Sequence, residues 1–236
     1  MCTSFISRKN DVIIGMNFDN NGMIYSISDK IENWFIVYVD TGRGRYPSFG
    51  VDRQGRFFNS LIVGSNGKGL YRRPSSKVNH TTKLVTDLIN GVIRAEDLNE
   101  YLEKVEIVNT PDQSCHNMIC DSNANVWIIE PGRGSIFSPS TESSYFSMSN
   151  ESLIDLQMRD MKSECPRYTA VMSRLSSTNE MDVDSAFEIL KSVSQTDGEW
   201  KTDLSMVFSK KQSKVYYCLN NDFSRMFEFD FSQGND

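Results

Sequence analysis

Apolar residues alternate with polar ones near both ends of the chain and in its middle, and they recur at helical spacing in two blocks between these regions. Alternation is typical of half-buried strands, whereas a period near 3.6 residues is typical of amphipathic helices. The pattern predicts strands over residues 3–7, 12–17, 34–39, 56–64, 116–120, 126–130, 145–148, 204–209, 214–219 and 226–231. It predicts helices over residues 81–92, 96–105, 153–161, 168–175 and 183–193.

The elements therefore come in runs: strands, helices, strands, helices, strands. Segregated runs favour an α+β fold, because strict alternation of strand and helix would be needed for a parallel sheet. We expect antiparallel sheets with helices on their outer faces, and residues 121–125 read as the turn of a hairpin. The Ser/Thr/Pro-containing stretch 135–144 reads as a loop, so residues 1–236 are expected to form a single domain.

Composition narrows the classes of function. Apolar residues make up 39% of the chain, which is enough for a packed core, and the net charge is −6 with basic residues scattered. A nucleic-acid partner is not expected, because binding to phosphates needs a concentrated basic surface. Charged residues interrupt the N-terminal apolar stretch, and no segment reaches transmembrane length. We therefore expect a soluble, cytoplasmic protein without a membrane partner.

The five cysteines and two histidines limit the chemistry further. An odd number of irregularly spaced cysteines favours reduced thiols, four of them in the core. Cys115 and His116 are adjacent on a predicted strand and face opposite sides, while Cys120 lies about 13 Å from His116 along it. Neither pair can share a proton, and no paired CxxC motif indicates a metal site. His80 is expected to be a surface or capping residue near a helix start.

Cys2 has a chemical property that the other cysteines lack. Removal of Met1 would leave a thiol and a free α-amine on the same residue. The amine has a reference pKa of about 7.7 to 8.0, so it can exchange a proton with the thiol near neutral pH. Thiolate is the reactive form of cysteine, and a neighbouring base raises its fraction. The position of Cys2 alone also fits a cysteine without a catalytic role that happens to be the second residue, on the first strand.

Several motifs, in order along the chain, resemble the choloylglycine hydrolase and penicillin V acylase family of N-terminal-nucleophile hydrolases. The opening Met1-Cys2-Thr3 is followed by Gly15-Met16-Asn17-Phe18-Asp19, which resembles the family's Gly-Arg-Asn-x-Asp element. Tyr46-Pro47-Ser48-Phe49-Gly50 with Asp52-Arg53-Gln54-Gly55 resembles the family's Gly-x-Asn-x-x-Gly turn. Further similar segments are His116-Asn117-Met118-Ile119-Cys120-Asp121 with Trp127-Ile128-Ile129-Glu130, Ser149-Asn150, Pro166-Arg167-Tyr168, and Thr202-Asp203-Leu204-Ser205-Met206-Val207 with Val215-Tyr216-Tyr217. The resemblance spans nearly the whole chain.

The resemblance implies an αββα sandwich, in which two antiparallel sheets lie between helical layers, and hydrolysis of a linear amide in a small N-acyl substrate. It implies Cys2 as the nucleophile and Asp19 as the carboxylate that holds amine and thiol in register. Asn150 would donate to the oxyanion, where a preorganised amide lowers the barrier by roughly 3 kcal/mol. Arg167 would support the site electrostatically, with Asp19 as its partner. No cofactor and no metal are implied, and a homo-oligomer fits the family.

Alternatives remain open at each of these positions. Asp19 also fits a turn before Asn20-Asn21-Gly22, Asn150 also fits the N-cap of the next helix, and Arg167 also fits a solvated first-turn residue.

Two positions depart from the family pattern. Met16 replaces the family's arginine, and Ile62 stands where bile-salt hydrolases have an oxyanion asparagine, although Asn59 is close in sequence. These two positions favour the competing hypothesis of a catalytically degenerate homologue that acts as a binding protein. An acyltransferase of the same fold, in which another amine replaces water, is a further alternative.

Overall fold

A computed structural model describes residues 2–28, 33–42 and 44–232. Its strands, numbered in chain order, are β1 (Thr3–Ser7), β2 (Ile13–Asn20), β3 (Ile24–Ile27), β4 (Trp34–Asp40), β5 (Arg45–Asp52), β6 (Phe57–Asn59), β7 (Leu61–Ile62), β8 (Val78–His80), β9 (Glu106–Val108), β10 (Cys115–Cys120), β11 (Val126–Glu130), β12 (Gly134–Ser138), β13 (Tyr145–Met148), β14 (Lys201–Ser209), β15 (Lys214–Leu219) and β16 (Phe227–Asp230). Its α-helices are α1 (Thr81–Ile89), α2 (Leu98–Lys104), α3 (Leu153–Arg159), α4 (Pro166–Ser177) and α5 (Val183–Ser192).

Two antiparallel sheets form the centre of the molecule. One has six strands in the order β13-β1-β2-β14-β15-β16, so the first hairpin pairs with two strands from the second half of the chain. The other has eight strands, with seven in the order β12-β11-β10-β6-β5-β4-β3 and β7 paired with β10. A separate parallel pair, β8-β9, flanks α1.

Three clusters of buried apolar side chains join the layers. The largest lies between the sheets and includes Met16 and Phe18 of β2 with Phe49 of β5. A second packs α1 and α2 against the eight-stranded sheet, and a third packs α4 and α5 against the six-stranded sheet. The expected α+β fold, a four-layer αββα sandwich, is therefore confirmed.

Two stretches that the sequence assigned to turns and loops form strands. Part of the predicted loop 135–144 is β12, an edge strand that pairs only with β11. An edge strand buries few side chains, which explains why β12 lacks a clear apolar pattern. The stretch that resembled a turn motif from Tyr46 to Gly50 lies in β5, and the turn itself comes later, where Gly55 adopts a φ of +83°.

None of the helices within the described residues is long and apolar enough to cross a membrane.

Candidate functional site

Strand β2 places Asp19 on the face of its sheet that the helices α4 and α5 cover. Successive side chains of a strand point to opposite faces. Phe18 packs in the cluster between the sheets, whereas the Asn17 side chain donates to the Leu190 carbonyl oxygen of α5 at 2.8 Å. Asp19 therefore shares the helical face with Asn17, and it is only 1% exposed. The alternative of a turn residue at Asp19 is wrong.

Arg167, in the first turn of α4, joins the parts of the site. Its guanidinium donates to the Cys2 carbonyl oxygen at 3.0 Å, Thr3 Oγ1 at 2.8 Å, Asp19 Oδ2 at 3.3 Å and Asn150 Oδ1 at 3.2 Å. The side chain is only 13% exposed. The alternative of a solvated first-turn residue is therefore wrong, and the structure brings Cys2, Asp19, Asn150 and Arg167 together.

Two residues that the sequence did not single out for the site also bind the Asp19 carboxylate. Thr202 Oγ1 donates to Oδ1 and Gln195 Nε2 donates to Oδ2, each at 2.5 Å. Thr202 and Gln195 also bond to each other through their backbones and the Thr202 hydroxyl. Burial raises the pKa of Asp19, while the bonds from Thr202 and Gln195 and the charge of Arg167 oppose that rise.

The Cys2 thiol is buried against the backbone of Asp19. The Asp19 amide donates to Sγ at 3.4 Å, and the Asp19 carbonyl oxygen lies 3.6 Å from Sγ. Burial and the negative charge of Asp19 raise the pKa of the thiol to about 12, although Arg167 opposes the shift. A thiol in this state needs a base to become a nucleophile. Met1, whose removal the sequence led us to expect, lies outside the described residues.

Asn150 lies between Arg167 and the end of β7. Its Nδ2 donates to the Ile62 carbonyl oxygen at 2.7 Å, and its Oδ1 accepts from Arg167. The N-cap of α3 is Ser152, whose hydroxyl accepts from the Asp155 amide. The capping alternative for Asn150 is therefore wrong, and Ile62 contributes to the site through its backbone.

The other departure from the family pattern, Met16, is fully buried in the apolar cluster between the sheets. Asn59, which is close to Ile62 in sequence, is fully buried and does not line the cleft beside Arg167. Its Nδ2 donates to Ser4 Oγ at 2.7 Å, and its Oδ1 accepts from the Met118 amide.

A cleft with a volume of about 1010 Å³ opens beside these residues. Asn150, Arg167 and Gln195 line it, together with apolar side chains such as Leu156 and Val193. Cys2 and Asp19 are not among the lining residues in the described part of the chain, and each lies one contact away through Arg167. The cleft could hold a small molecule with apolar and polar parts.

The remaining cysteines mostly lie in the core. Cys115, Cys120 and Cys218 are buried, as Cys2 is, whereas Cys165 is half-buried at the N-cap of α4 and lines the cleft. Four of the five cysteines are therefore buried, as expected. His80 caps α1 by accepting from the Lys83 amide, as predicted. Within the described ranges, no three side chains of His, Cys, Asp or Glu are grouped so that they could hold a metal ion.

Comparison with known proteins gives structural likeness without close sequence likeness. No protein-family model matches the chain, and no curated protein matches it. The solved structure of a mutant of the conjugated bile acid hydrolase from Clostridium perfringens has a similar fold, with a TM-score of 0.75 and 12% sequence identity. The alignment covers 100% of this chain and 94% of the hydrolase chain. The structure of the penicillin V acylase from Agrobacterium tumefaciens aligns over 99% of this chain and 87% of the acylase chain, with a TM-score of 0.67 and 12% sequence identity.

A third solved structure shares the fold. The Caenorhabditis elegans orthologue of the N-acylethanolamine-hydrolyzing acid amidase aligns over 89% of this chain and 93% of the amidase chain, with a TM-score of 0.61 and 13% sequence identity. At such identities the likeness shows a shared fold. The resemblance to the choloylglycine hydrolase and penicillin V acylase family is therefore confirmed for the fold. The activity has to be argued from the site itself.

Proposed function

We propose that this chain, which shares its fold with hydrolases of linear amides, is itself a hydrolase of N-acyl amide bonds and uses Cys2 as an N-terminal nucleophile. The observation that carries the proposal is the contact of one guanidinium, that of Arg167, with the Cys2 backbone, the Asp19 carboxylate and the Asn150 amide. A buried cation that joins a thiol residue, a carboxylate and an amide beside a cleft has the components of an acyl-transfer site.

The α-amine of Cys2 is the base of this reaction. While Met1 is attached, the Cys2 nitrogen is part of a peptide bond and cannot accept a proton. After removal of Met1, the amine takes the proton from Sγ as sulfur attacks the acyl carbon. The amine then gives that proton to the leaving nitrogen, the C–N bond breaks and a thioester remains. Water, deprotonated by the same amine, releases the acid and restores the thiol.

Asp19, Arg167 and Asn150 stabilise the charges that this sequence creates. The Asp19 carboxylate lies beside Cys2 and stabilises the ammonium form of its amine. Asn150 uses one amide hydrogen on Ile62, and the second is available to the oxyanion of the tetrahedral intermediate. Arg167 holds Asn150 by its oxygen, which fixes the direction of the amide group.

Mass analysis combined with thiol labelling tests this proposal. We expect the purified protein to lack Met1, and a haloacetamide to alkylate Cys2 faster than the other four thiols. The reason is that the free amine can accept the thiol proton, whereas burial raises the pKa of Cys2 to about 12 in the chain that carries Met1.

A form with one extra residue before Cys2 is the matched control, because its Cys2 nitrogen remains an amide. It should label slowly and turn over no substrate. Retention of Met1 in the active protein, or equal labelling of the two forms, would contradict the amine as base.

Gln195 gives a prediction about pH. Replacing Gln195 with alanine removes a hydrogen bond that lowers the pKa of Asp19, so this pKa should rise further above its usual value. When the pH is lowered, Asp19 of the variant therefore becomes protonated at a higher pH than Asp19 of the unmodified protein. We expect the acid limb of the profile of kcat/KM against pH to move to higher pH.

Gln212→Ala is the control for this change. Gln212 accepts a hydrogen bond from Tyr216 OH near the end of β14 and does not line the cleft. Its replacement should leave the acid limb in place. An acid limb that stays in place, or moves to lower pH, in Gln195→Ala would argue against Asp19 as the carboxylate that must be ionised.

A further inference from the structure

A buried histidine and glutamate face each other behind the cleft. His116 of β10 and Glu130 of β11 lie on adjacent antiparallel strands, whose register pairs Asn117 with Ile129 and so brings His116 opposite Glu130. Both side chains are fully buried, and His116 Nδ1 lies 3.2 Å from Glu130 Oε1. A buried pair of this kind is costly unless its members satisfy each other.

The hydrogen bonds around the pair determine where its protons lie. His116 Nε2 lies 2.8 Å from the Ser149 carbonyl oxygen, which can only accept, so Nε2 carries a proton. Burial raises the pKa of Glu130, but the hydrogen bonds from His116, Ser152 and Leu153 outweigh it and hold this pKa below its usual value. Glu130 Oε2 accepts from the Ser152 hydroxyl and Oε1 accepts from the Leu153 amide, so both oxygens act as acceptors, as in an ionised carboxylate. On this geometry the contact with Nδ1 is a donation by the ring, and the pair is assigned as an imidazolium and a carboxylate.

Within the part of the chain that the structure describes, the other partners of the pair are Arg133 and three residues of one short segment. The Ser149 carbonyl oxygen accepts from His116, the Ser152 hydroxyl donates to Glu130 Oε2, and the Leu153 amide donates to Glu130 Oε1 at 2.9 Å. These three residues enclose Asn150 in the chain. The segment from Ser149 to Leu153 is thus held on both sides of Asn150.

One further charged group faces Glu130. Arg133 Nε lies 3.8 Å from Glu130 Oε2 and 2.8 Å from Asp155 Oδ2, while its Nη2 donates to the Gly64 carbonyl oxygen at 2.8 Å. Arg133, Asp155 and Gly64 all line the cleft. The carboxylate of Glu130 therefore lies next to an arginine that lines the cleft.

We propose that His116 and Glu130 are positioning residues, which as an ion pair hold the segment from Ser149 to Leu153 so that the Asn150 amide is directed into the cleft. The role rests on the proposed function, because it is the oxyanion donor Asn150 that the pair positions. The pair acts through the backbone of the segment and takes no part in the transfer of protons to the substrate.

The protonation state can be measured in the unmodified protein. The chain has only two histidines, so the ¹⁵N spectrum of the imidazoles contains two spin systems, which a His80→Gln variant assigns. We expect both ring nitrogens of His116 to carry protons at neutral pH. A neutral His116 ring at that pH would overturn the proposal, whether or not the protein hydrolyses amides.

Glu130→Gln tests the positioning itself. We expect kcat to fall by about 100-fold, the cost of displacing an active-site group by about 1 Å, while KM changes little. Amide hydrogen exchange should accelerate locally from Ser149 to Leu153. His116→Gln, which keeps amide donors in a neutral side chain, is the second variant and should give the same pattern if Glu130→Gln does not fold.

Asp121→Asn is the matched control. Asp121 is a buried carboxylate at the turn of the same hairpin, where it accepts from the Asn123 and Asn125 amides. Its replacement should lower the free energy of unfolding, but it should neither lower kcat nor accelerate amide hydrogen exchange from Ser149 to Leu153. The proposal is overturned if Glu130→Gln and Asp121→Asn behave alike. If no amide is hydrolysed by any form, the exchange and imidazole measurements still decide whether the pair holds the segment.

Discussion

Replacing Cys2 with serine is expected to lower the turnover of N-acyl amides by about 10⁴-fold or more, the scale of effect seen when a covalent nucleophile is lost. The hydroxyl of serine is a much weaker acid and a weaker nucleophile than a thiol, so the same α-amine activates it far less well in a site arranged around sulfur. The two side chains are close in size, and the site is only 8% exposed. The folded structure should therefore persist. The measurement is kcat/KM on a panel of N-acyl amino acids and penicillin V, with thermal unfolding recorded in parallel.

Cys165→Ser is the matched control for this variant. Cys165 is a half-buried thiol that lines the cleft at the N-cap of α4, and its side chain makes no capping hydrogen bond. We expect its replacement to change kcat/KM little. Unchanged turnover in Cys2→Ser, or an equal loss in Cys165→Ser, would place the chemistry elsewhere.

Asp19→Asn is expected to lower kcat/KM by about 10²- to 10⁴-fold, the range for loss of a group that supports proton transfer. Asparagine keeps the shape of the side chain but removes the charge that pairs with Arg167 and with the ammonium form of the Cys2 amine. The loss of charge should also lower the free energy of unfolding by about 2 kcal/mol, because hydrogen bonds to an ionised group weaken. Urea unfolding measures the second effect separately from the first.

Asp52→Asn separates the catalytic effect from the structural one. Asp52 is also 1% exposed, is also bonded to an arginine (Arg56 Nε, 2.6 Å) and also has a pKa raised by burial. It lies at the end of β5 in the other sheet. Its replacement should cost a similar free energy of unfolding and leave kcat/KM unchanged. An equal loss of activity in both variants would mean that Asp19 serves stability alone.

The fold was predictable wherever burial imposes a strong pattern. β11 and β13 begin and end at the predicted residues. β11 is buried at all of its residues, and β13 is half-buried at its first two residues and buried at its last two. β5 was missed because Pro47 and Gly50 argue against a strand. In the structure Pro47 lies beside an irregularity in the register with β4, and a side chain at Gly50 would meet Ile36 and Phe58 at 2.9 Å. These constraints come from tertiary contacts, which single-sequence patterns do not contain.

The site was predictable to a different extent. Cys2, Asp19, Asn150 and Arg167 were named from motifs, and the structure brings them together, while their roles stay predictions. Thr202 was missed as a hydrogen-bond partner of Asp19. The position of Thr202 depends on the pairing of β14 with β2, where the register shifts between Thr202 and Leu204. A strand that slips by one residue presents its other face. No local pattern in the sequence specifies such an irregularity.

The order of strands in the six-stranded sheet also bears on the timing of protein synthesis. Thr202, which binds Asp19, follows it by 183 residues. At about 5 to 20 residues per second, a ribosome needs roughly 10 to 40 s to make that length of chain. Until β14 emerges, β2 lacks one of its neighbours and the pocket around Cys2 is incomplete. An aminopeptidase therefore has this interval on the nascent chain in which to trim the N-terminus, before the thiol becomes enclosed.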